Sequence, residues 1–539
     1  MSRSPIMNAL RGLARDHAEA WRRGVDVRKL REAPPADGLG RRRFLQGAGL
    51  AIGAAALPRV PLARGTKGPR IAIVGGGVAG LACALALQDR GVPSTIYEAA
   101  AQVGGRMHSN TTDWLNGQKS EWCAEFIDTG QAAILGLAKR FGLAVIDEVA
   151  AQPAGSDDTL FFRGKYYARE QADRDFAPVN ATLQIQLKAA PSTLYNSHTR
   201  TGRFLDSISV YDWIDKYVPG GHDSDLGRFL DSAYTEEFGL DTRLQSSLNL
   251  VSVLGAQPSS GPWQIFGASD QRFSIDGGNQ RLPEAIAAAL PKESILAEHA
   301  LTKIARHGSG YSLVFRTSAG TKAVTADKVV LTLPFSVLRT IDYASAGFDS
   351  LKHAAIQELG YGTNSKLSLQ FDERPWSASG PWGRGNGTIN TDLFFQNTWD
   401  SSRGIGAPGS ASGVLTAYMG GSNGASFTAT NSPYASAATD PAVKDYARAF
   451  LLQLEAVWPG ASKFWNGRAT LSTSWRDPNL VGSYACWKVG QYVKFAGYEG
   501  VRQGNCHFAG EHCSTSSQGF MEGAAAEGIR AAAEILGGR

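Results

Sequence analysis

The stretch IAIVGGGVAGLACALALQDRGVPSTIYEAA, residues 71–100, is the part of the sequence that most clearly indicates the fold of this chain. It opens with the apolar run Ile71–Val74, which predicts a short buried strand of a parallel sheet. Gly75, Gly77 and Gly80 follow in the pattern G-x-G-x-x-G. The first glycine allows a tight turn, the second lets backbone approach a pyrophosphate, and the third allows close packing of helix on strand. The stretch predicts a dinucleotide-binding unit whose helix points its free N–H groups at phosphates.

The second half of the stretch completes this unit. The helical pattern ends at Gly91, the segment STIY predicts a second strand, and Glu98 stands 23 residues after Gly75. A carboxylate at that point accepts hydrogen bonds from a ribose hydroxyl. Because strand, helix and acid agree, the dinucleotide interpretation does not depend on the glycine pattern alone.

The length and charge of the chain limit the number of domains and the kinds of partner that we expect. A chain of 539 residues is too long for one compact core, so we expect two domains or more. The net charge is +5, but residues 1–70 carry 15 Lys+Arg and 5 Asp+Glu, so the rest of the chain is slightly acidic. The body of the protein therefore lacks the basic surface of a nucleic-acid-binding domain.

The cysteines predict neither a disulfide framework nor a metal centre. There are five, which is an odd and sparse set. One local cluster, CHFAGEHC, brings two thiols and two imidazoles together between Cys506 and Cys513. Its spacing fits no zinc pattern, so we interpret it as a strand that ends in a tight turn.

The N-terminal segment GRRRFLQGAGLAIGAAAL resembles a twin-arginine export signal. Arg41 and Arg42 are followed by one spacer, then Phe44 and Leu45, then a short apolar run that is too brief to span a bilayer. Such signals are addresses read by a receptor, which predicts a periplasmic or secreted protein with the export machinery as a partner. A disordered basic tail without function is the alternative, and the role of residues 1–40 stays open.

Just past Glu98 comes AAAQVGGRMHS, in which Gly104, Gly105 and Arg106 form a glycine pair followed by arginine. This motif resembles the loop of the flavoprotein amine oxidase family that meets the FAD pyrophosphate and isoalloxazine. The similarity, to flavin monoamine and polyamine oxidases, continues in order over about 71–539. The resemblance implies FAD as the cofactor.

The C-terminal stretch HFAGEHCSTSSQGFMEGAAAEGIRAAAEIL is the most specific match to this family. By resemblance, Gly510 and Glu511 lie under the flavin, with Glu511 bonded to its ribityl or phosphate region. Phe520 and Met521 open a helix whose N-terminus faces the flavin pyrimidine, where partial positive charge favours the reduced cofactor. Leu301 matches the apolar position that contacts adenine.

The resemblance also implies the residues at the reactive edge. Lys366 matches the lysine that holds a water beside flavin N5; its alternative place is the exposed face of a polar strand. Tyr484 matches one wall of the aromatic cage, Phe520 replaces the tyrosine of the other, and Trp487 is a further candidate wall. The family position that carries a flavin-linking cysteine in some relatives is Ser483 here, which predicts noncovalent FAD.

We therefore predict a mixed α/β fold with a Rossmann-like FAD-binding domain built from discontinuous segments and a substrate domain of sheet and helices. The predicted segments are a leader over 1–68, FAD-binding segments over 69–150, 271–344 and 471–539, and substrate-domain segments over 151–270 and 345–470.

The predicted reaction is oxidation of a primary or secondary amine to an imine, with dioxygen reduced to hydrogen peroxide. Whether the protein forms a homodimer stays open. Amino-acid oxidases hold the substrate carboxylate with an arginine, but the matching stretch AEFID is followed by none before Arg140, although Arg228 or Arg272 could serve. Glu236 and Glu237 could attract a distal ammonium. An L-amino-acid oxidase, a related flavin monooxygenase, a phytoene-desaturase-like enzyme and a nonenzymatic FAD-binding scaffold are the alternatives.

Overall fold

The computed structural model describes residues 68–255, 270–405 and 411–537. The twin-arginine pair and the apolar run after it lie outside the described residues. The five cysteines all lie within them, and all are free thiols.

The strands run throughout the chain and most are short. In order they are β1 (Ile71–Val74), β2 (Thr95–Tyr97), β3 (Ser109–Asn110), β4 (Ser120–Glu121), β5 (Val145–Asp147), β6 (Asp157–Phe162), β7 (Lys165–Tyr166), β8 (Phe273–Ile275), β9 (Ile295–Leu296), β10 (Ala300–His307), β11 (Gly310–Thr317), β12 (Gly320–Ala326), β13 (Lys328–Leu331), β14 (Gly360–Tyr361), β15 (Ser365–Phe371), β16 (Ser379–Gly380), β17 (Gly383–Thr391), β18 (Asn397–Asp400), β19 (Gly413–Met419), β20 (Tyr434–Ser436), β21 (Trp465–Ser472), β22 (Ala485–Cys486) and β23 (Cys506–Phe508).

The helices cluster in the first half of the chain and at its C-terminus. In order they are α1 (Val78–Gln88), α2 (Ala132–Arg140), α3 (Arg169–Ala189), α4 (Arg200–Asp206), α5 (Val210–Tyr217), α6 (Asp225–Phe238), α7 (Ser247–Gly255), α8 (Arg281–Ala289), α9 (Phe335–Leu338), α10 (Ser350–Glu358), α11 (Gly421–Ala425), α12 (Pro441–Val457), α13 (Gln491–Phe495) and α14 (Met521–Gly537). Among the described residues, no helix combines the length and apolar character needed to cross a membrane.

A five-stranded parallel sheet forms one layer, in the order β23-β13-β1-β2-β9. Its strands come from the beginning, the middle and the end of the chain, as a domain built from discontinuous segments requires. Ile71–Val74 is buried along its whole length, which explains its unbroken apolar sequence. The His-Gly-Ser-Gly segment that begins at His307 forms the turn of a hairpin, in which β10 and β11 pair antiparallel with His307 opposite Gly310.

A second, mixed sheet forms the other main layer, in the order β20-β21-β15-β19-β18-β17-β6-β7, with β16 added on β17. Its pairs are antiparallel except for β17 with β6. Helices α3 to α7 pack around a separate apolar core that includes Trp213 and Phe229. The predicted mixed α/β class is confirmed, while the exact limits of the predicted domains stay a prediction.

Two glycines set how α1 sits in the parallel-sheet layer. A Cβ on Gly80 would lie 2.0 Å from the carbonyl oxygen of Gly75, and a Cβ on Gly528 would lie 2.1 Å from that of Ala79. Helix α1 therefore packs closely on the turn after β1 and on helix α14 because both contacts lack a side chain. This arrangement brings the first turns of α1 and α14 to the same cavity.

Candidate active site

A cavity of about 430 Å³ lies between the ends of the parallel strands and one face of the mixed sheet. Gly75, Glu98, Gly105 and Gly510 line it on the side of the parallel sheet, and Lys366 lines it from the mixed sheet. Clefts of this size, formed outside the carboxyl ends of parallel strands, are typical ligand sites. Most of the sequence-predicted site residues therefore meet in one place.

The glycine-rich turn forms a backbone cradle at one end of this cavity. Gly75 has φ 108°, a conformation that favours glycine, while a Cβ on Gly77 would meet no atom within 4 Å. Helix α1 begins after Gly77 without a side-chain cap, and Val78 and Ala79 line the cavity. The open space beside free helix N–H groups fits an anionic pyrophosphate.

Glu98 lies beside this cradle, where the sequence predicts a contact with a ribose hydroxyl. Its Oε2 accepts a 2.6 Å hydrogen bond from the Gly76 N–H, and its Oε1 accepts one of 2.7 Å from the Ala100 N–H. Burial raises the pKa of the Glu98 carboxyl, and these backbone donors oppose that shift. The carboxylate lines the cavity with lone pairs left for a ribose hydroxyl.

An ion pair between Arg106 and Glu511 joins three segments that are distant in sequence. The Arg106 Nη1 donates to Glu511 Oε1 at 2.8 Å and to the Ser483 carbonyl at 3.0 Å. Glu511 also accepts from the N–H groups of Ala485 at 3.1 Å and Gly519 at 2.7 Å. Both carboxylate oxygens are thus engaged with the protein, so Glu511 positions these loops; its predicted bond to the cofactor stays a prediction.

Helix α14 delivers its first turn to the cavity. Phe520 and Met521 line it, as the resemblance predicts, and the next residue, Glu522, accepts 3.0 Å hydrogen bonds from Ala133 and Ile134. These two bonds satisfy free N–H groups at the start of α2. The carboxylate therefore couples the two helices that flank the cavity.

Lys366 lies on the buried strand β15, directly opposite Tyr418 on β19 and Ser472 on β21. The strand is buried on both faces, which rules out the exposed alternative. The ammonium donates to Glu125 Oε2 at 2.5 Å and to the carbonyls of Glu121 at 3.2 Å and Cys123 at 2.5 Å. These three contacts match the three donors of an ammonium. The predicted lysine-held water stays a prediction.

The aromatic wall contains more residues than the sequence predicted. Tyr484 and Phe520 both line the cavity, and the Tyr484 hydroxyl lies 2.9 Å from that of Tyr418. Tyr418 packs edge-on against Trp399 with ring centroids 5.4 Å apart, and Phe126 lies 5.5 Å from Trp399. Burial, followed by the nearby Tyr484, raises the pKa of the Tyr418 hydroxyl, which keeps it a neutral hydrogen-bonding group.

Three predicted site residues do not line the cavity: Gly80, which packs against the turn after β1, and also Trp487 and Leu301. Trp487 does not line it; its Nε1 donates to Glu499 Oε1 at 3.0 Å and its ring lies 4.5 Å from that of Tyr492 in the apolar core. Leu301 is likewise buried in that core, on β10 opposite Phe315. An apolar or aromatic residue in a strand pattern carries no sign of the face it takes. Neither residue lines this cavity, and the predicted roles of Trp487 as a cage wall and of Leu301 as an adenine contact stay predictions.

The candidate substrate-binding charges also lie elsewhere. Arg272 pairs with Asp147 at 2.6 Å, and the Arg228 Nε donates to the His222 carbonyl at 2.9 Å; neither lines the cavity. Glu236 and Glu237 are buried in the last turn of α6 rather than at a helix start, and their side chains do not line the cavity. The Glu236 backbone carbonyl does contact a residue of the cavity wall, because it accepts a hydrogen bond from the Tyr484 hydroxyl at 3.3 Å.

The cluster between Cys506 and Cys513 is buried, and the His507 Nδ1 lies 2.7 Å from Glu534. Within the described part of the chain, no group of three or more His, Cys, Asp or Glu side chains has an arrangement that could hold a metal ion.

Comparison with known proteins shows which proteins the chain as a whole is similar to. Residues 78–536 match the family model described as "Flavin containing amine oxidoreductase". The protein is 26% identical over 481 residues to "Putative L-amino-acid oxidase YobN" of Bacillus subtilis (strain 168), covering 86% of this chain and 94% of that protein. It is 24% identical over 500 residues to "Polyamine oxidase 4" of Oryza sativa subsp. japonica, covering 86% and 88%.

A solved structure extends this similarity to the fold. Cyclohexylamine oxidase from Brevibacterium oxydans IH-35A superposes with a TM-score of 0.72 and 20% identity, over 87% of this chain and 99% of that one. At this identity the match shows a shared fold. The glycine cradle, Glu98 and the first turn of α14 together fit the FAD that the family implies.

Proposed function

The chain belongs to the flavin-containing amine oxidoreductase family, and on that premise we propose that it oxidises a primary or secondary amine without an α-carboxylate. The neutral amine loses two electrons and two protons, formally a hydride from carbon and a proton from nitrogen, to become an imine. Water converts the imine to an aldehyde and releases ammonia or the smaller amine, and dioxygen takes up the two electrons and two protons to give hydrogen peroxide. FAD supplies the two-electron oxidant when it is bound. The protein's own residues bind, orient and desolvate the amine.

We propose this substrate class because of the charged side chains that line the cavity. The cationic side chains that line it are Arg106 and Lys366, and each is paired with a carboxylate, Glu511 and Glu125. His108 also lines the cavity, but burial lowers its pKa, which favours the neutral imidazole. The internal ranges outside the description, 256–269 and 406–410, contain no lysine, arginine or histidine. An α-carboxylate would therefore find no uncommitted cation among the residues described around this cavity.

Aromatic side chains support the same proposal. Tyr484 and Phe520 offer ring faces and edges that orient an apolar amine beside the cofactor and exclude water. The Tyr484 hydroxyl is held by Tyr418 and by the Glu236 carbonyl, so the ring is fixed before substrate arrives. A fixed ring reduces the entropic cost of aligning the reacting carbon.

Oxygen consumption with matched pairs of compounds tests the proposal. Each pair is an amine and the L-amino acid that has the same side chain, for example phenethylamine and L-phenylalanine. We expect oxygen uptake and peroxide with amines and at least tenfold lower kcat/KM with the paired amino acids. The similarity to YobN favours an L-amino-acid oxidase as the second candidate, and the opposite preference would establish it in place of the amine oxidase.

We propose that the FAD is bound noncovalently. Ser483 stands where some relatives carry a flavin-linking cysteine, and its hydroxyl donates to Asn364 Oδ1 at 2.6 Å. Cys123 does line the cavity, but burial raises the pKa of its thiol, which disfavours the reactive thiolate. Acid precipitation should leave the yellow colour in the supernatant, whereas colour in the pellet would contradict noncovalent binding.

We also propose export by the twin-arginine route, from the pattern at Arg41 and Arg42. Replacing both arginines by lysine should retain the protein in the cytoplasm, because the receptor reads the paired guanidinium groups. Fractionation of cells that express the two forms measures this, and normal export of the double variant would remove the assignment.

A further inference from the structure

The ion pair between Lys366 and Glu125 lines the cavity and includes no residue of the glycine-rich turn or of the first turn of α14. The two side chains are 8% and 9% exposed, and Nζ lies 2.5 Å from Oε2. Both residues line the cavity, Lys366 from β15 and Glu125 from the segment that follows β4. A buried ammonium and a buried carboxylate are each costly to desolvate, so each needs the other in this place.

The surroundings leave Glu125 as the group that balances the lysine charge. Two of the three Lys366 donors meet backbone carbonyls, which accept hydrogen bonds but carry no formal charge. The aromatic rings of Trp399 and Tyr418 lie 5.5 Å and 5.9 Å from Nζ. These contacts stabilise a cation weakly compared with a carboxylate in direct contact.

Other titratable groups near the pair do not replace Glu125. The Glu121 carboxylate accepts from Lys119 Nζ at 3.3 Å, Ser109 Oγ at 2.5 Å and the Asn279 N–H at 2.9 Å. Burial raises the pKa of both the Cys123 thiol and the Tyr418 hydroxyl, which favours their neutral forms. Glu125 is therefore the carboxylate whose loss would leave Lys366 as an uncompensated buried cation.

We propose that Glu125 is a positioning residue of the flavin site, which fixes the Lys366 ammonium and cancels its charge. The pair then presents a neutral, hydrogen-bonded wall to the cavity in place of a free ammonium. This role rests on the proposed function, because amines reach the site largely as ammonium ions. An uncompensated lysine would repel them, whereas the neutral pair admits them.

The redox midpoint potential of the bound flavin tests this role without any substrate. Electron uptake adds negative charge to the cavity, so a nearby positive charge raises the potential and a negative charge lowers it. Glu125→Gln removes a negative charge from the pair and should raise the potential. Lys366→Met removes the positive charge and should lower it. We expect each shift to reach tenfold in the reduction equilibrium, about 30 mV for two electrons.

The combined variant separates charge compensation from a loss of packing. Glu125→Gln with Lys366→Met removes both charges and should return the potential to within threefold of the wild-type equilibrium. Glu125→Asp keeps the charge and should also stay close to wild type. Purely structural damage would lower the thermal midpoint of both single variants without moving the potential in opposite directions.

Three results would overturn the inference. They are a wild-type potential in Glu125→Gln, a shift of both single variants in the same direction, or a Lys366→Met potential at or above wild type. If Glu125→Gln fails to retain flavin, the Lys366→Met and Glu125→Asp values decide. The measurement of the potential uses no amine, so it does not depend on the substrate class. Oxygen uptake with L-amino acids only would refute the proposed function, and the potentials would still show whether Glu125 compensates the charge of Lys366.

Discussion

Replacing Gly528 with alanine should separate the two helices that carry the cofactor end of the cavity. Gly528 lies on α14 against α1, where a new Cβ would come within 2.1 Å of the Ala79 carbonyl oxygen and 3.1 Å of the Ala79 Cα. Backbone atoms cannot rotate away as a side chain can. The helices must therefore move apart by roughly 1 Å before the contact becomes tolerable.

The expected cost follows from this displacement. Overpacking of a close contact costs about 1–3 kcal/mol, and both α1 and α14 are rich in alanine and contain glycine. The first turns of both helices line the cavity, so FAD binding should weaken as well. We expect a decrease of several degrees in the thermal midpoint and earlier flavin release.

Gly136 provides a matched control on a different helix. It is exposed on α2, and a Cβ there would meet no atom within 4 Å. Gly136→Ala should stabilise the protein by about 0.5–1 kcal/mol, because alanine loses less backbone entropy in a helix. Differential scanning fluorimetry on flavin and tryptophan signals measures both variants. A Gly528→Ala protein with an unchanged midpoint and unchanged flavin release would refute the packing argument.

Two further variants test separate parts of the site, and a third tests a buried carboxyl that does not line the cavity. Tyr418→Phe removes the hydroxyl that holds Tyr484 and should lower kcat/KM about fivefold, the equivalent of one hydrogen bond of about 1 kcal/mol, in steady-state assays with an unchanged thermal midpoint. Glu98→Ala leaves two backbone donors without an acceptor and should raise the Kd for FAD at least tenfold, as measured by flavin fluorescence; an unchanged Kd would remove Glu98 from the cofactor site. Burial raises the pKa of Glu148 from 4.5 to about 7. Stability from this group is therefore complete below about pH 4.5 and lost as the pH rises through about 7, so Glu148→Gln should flatten the decline of the thermal midpoint across that range. A parallel decline in both proteins would contradict this assignment.

The parts of the site that follow from local sequence were predictable. The turn after β1 needs glycine for φ and for close packing, and these needs act on neighbouring residues, so they leave a pattern. The same holds for the strand, acid and helix around Glu511 and Met521. Each of these features is formed within about thirty residues of chain.

The reactive side of the cavity depends on pairings between distant strands. Lys366 meets Tyr418 through the register of β15 with β19, and it meets Glu125 because the segment after β4 crosses that sheet. Tyr418 stands in no motif, and Glu125, although it belongs to the matching stretch AEFID, carries no sign there that it meets a lysine. The same limit applies to Trp487, because its aromatic character predicts burial but does not tell whether the ring faces the cavity or the core in which it lies.

Anaerobic bleaching of the visible flavin band tests the central claim most directly, because it isolates the half-reaction in which the substrate reduces the cofactor. The wild-type enzyme is mixed without oxygen with each amine and its paired L-amino acid. We predict rapid bleaching by one or more amines and slow or absent bleaching by the amino acids. Rapid bleaching by amino acids with none by amines would contradict the proposed substrate class, and it would mean that a carboxylate is held without the uncommitted cation that this cavity lacks among its described lining residues.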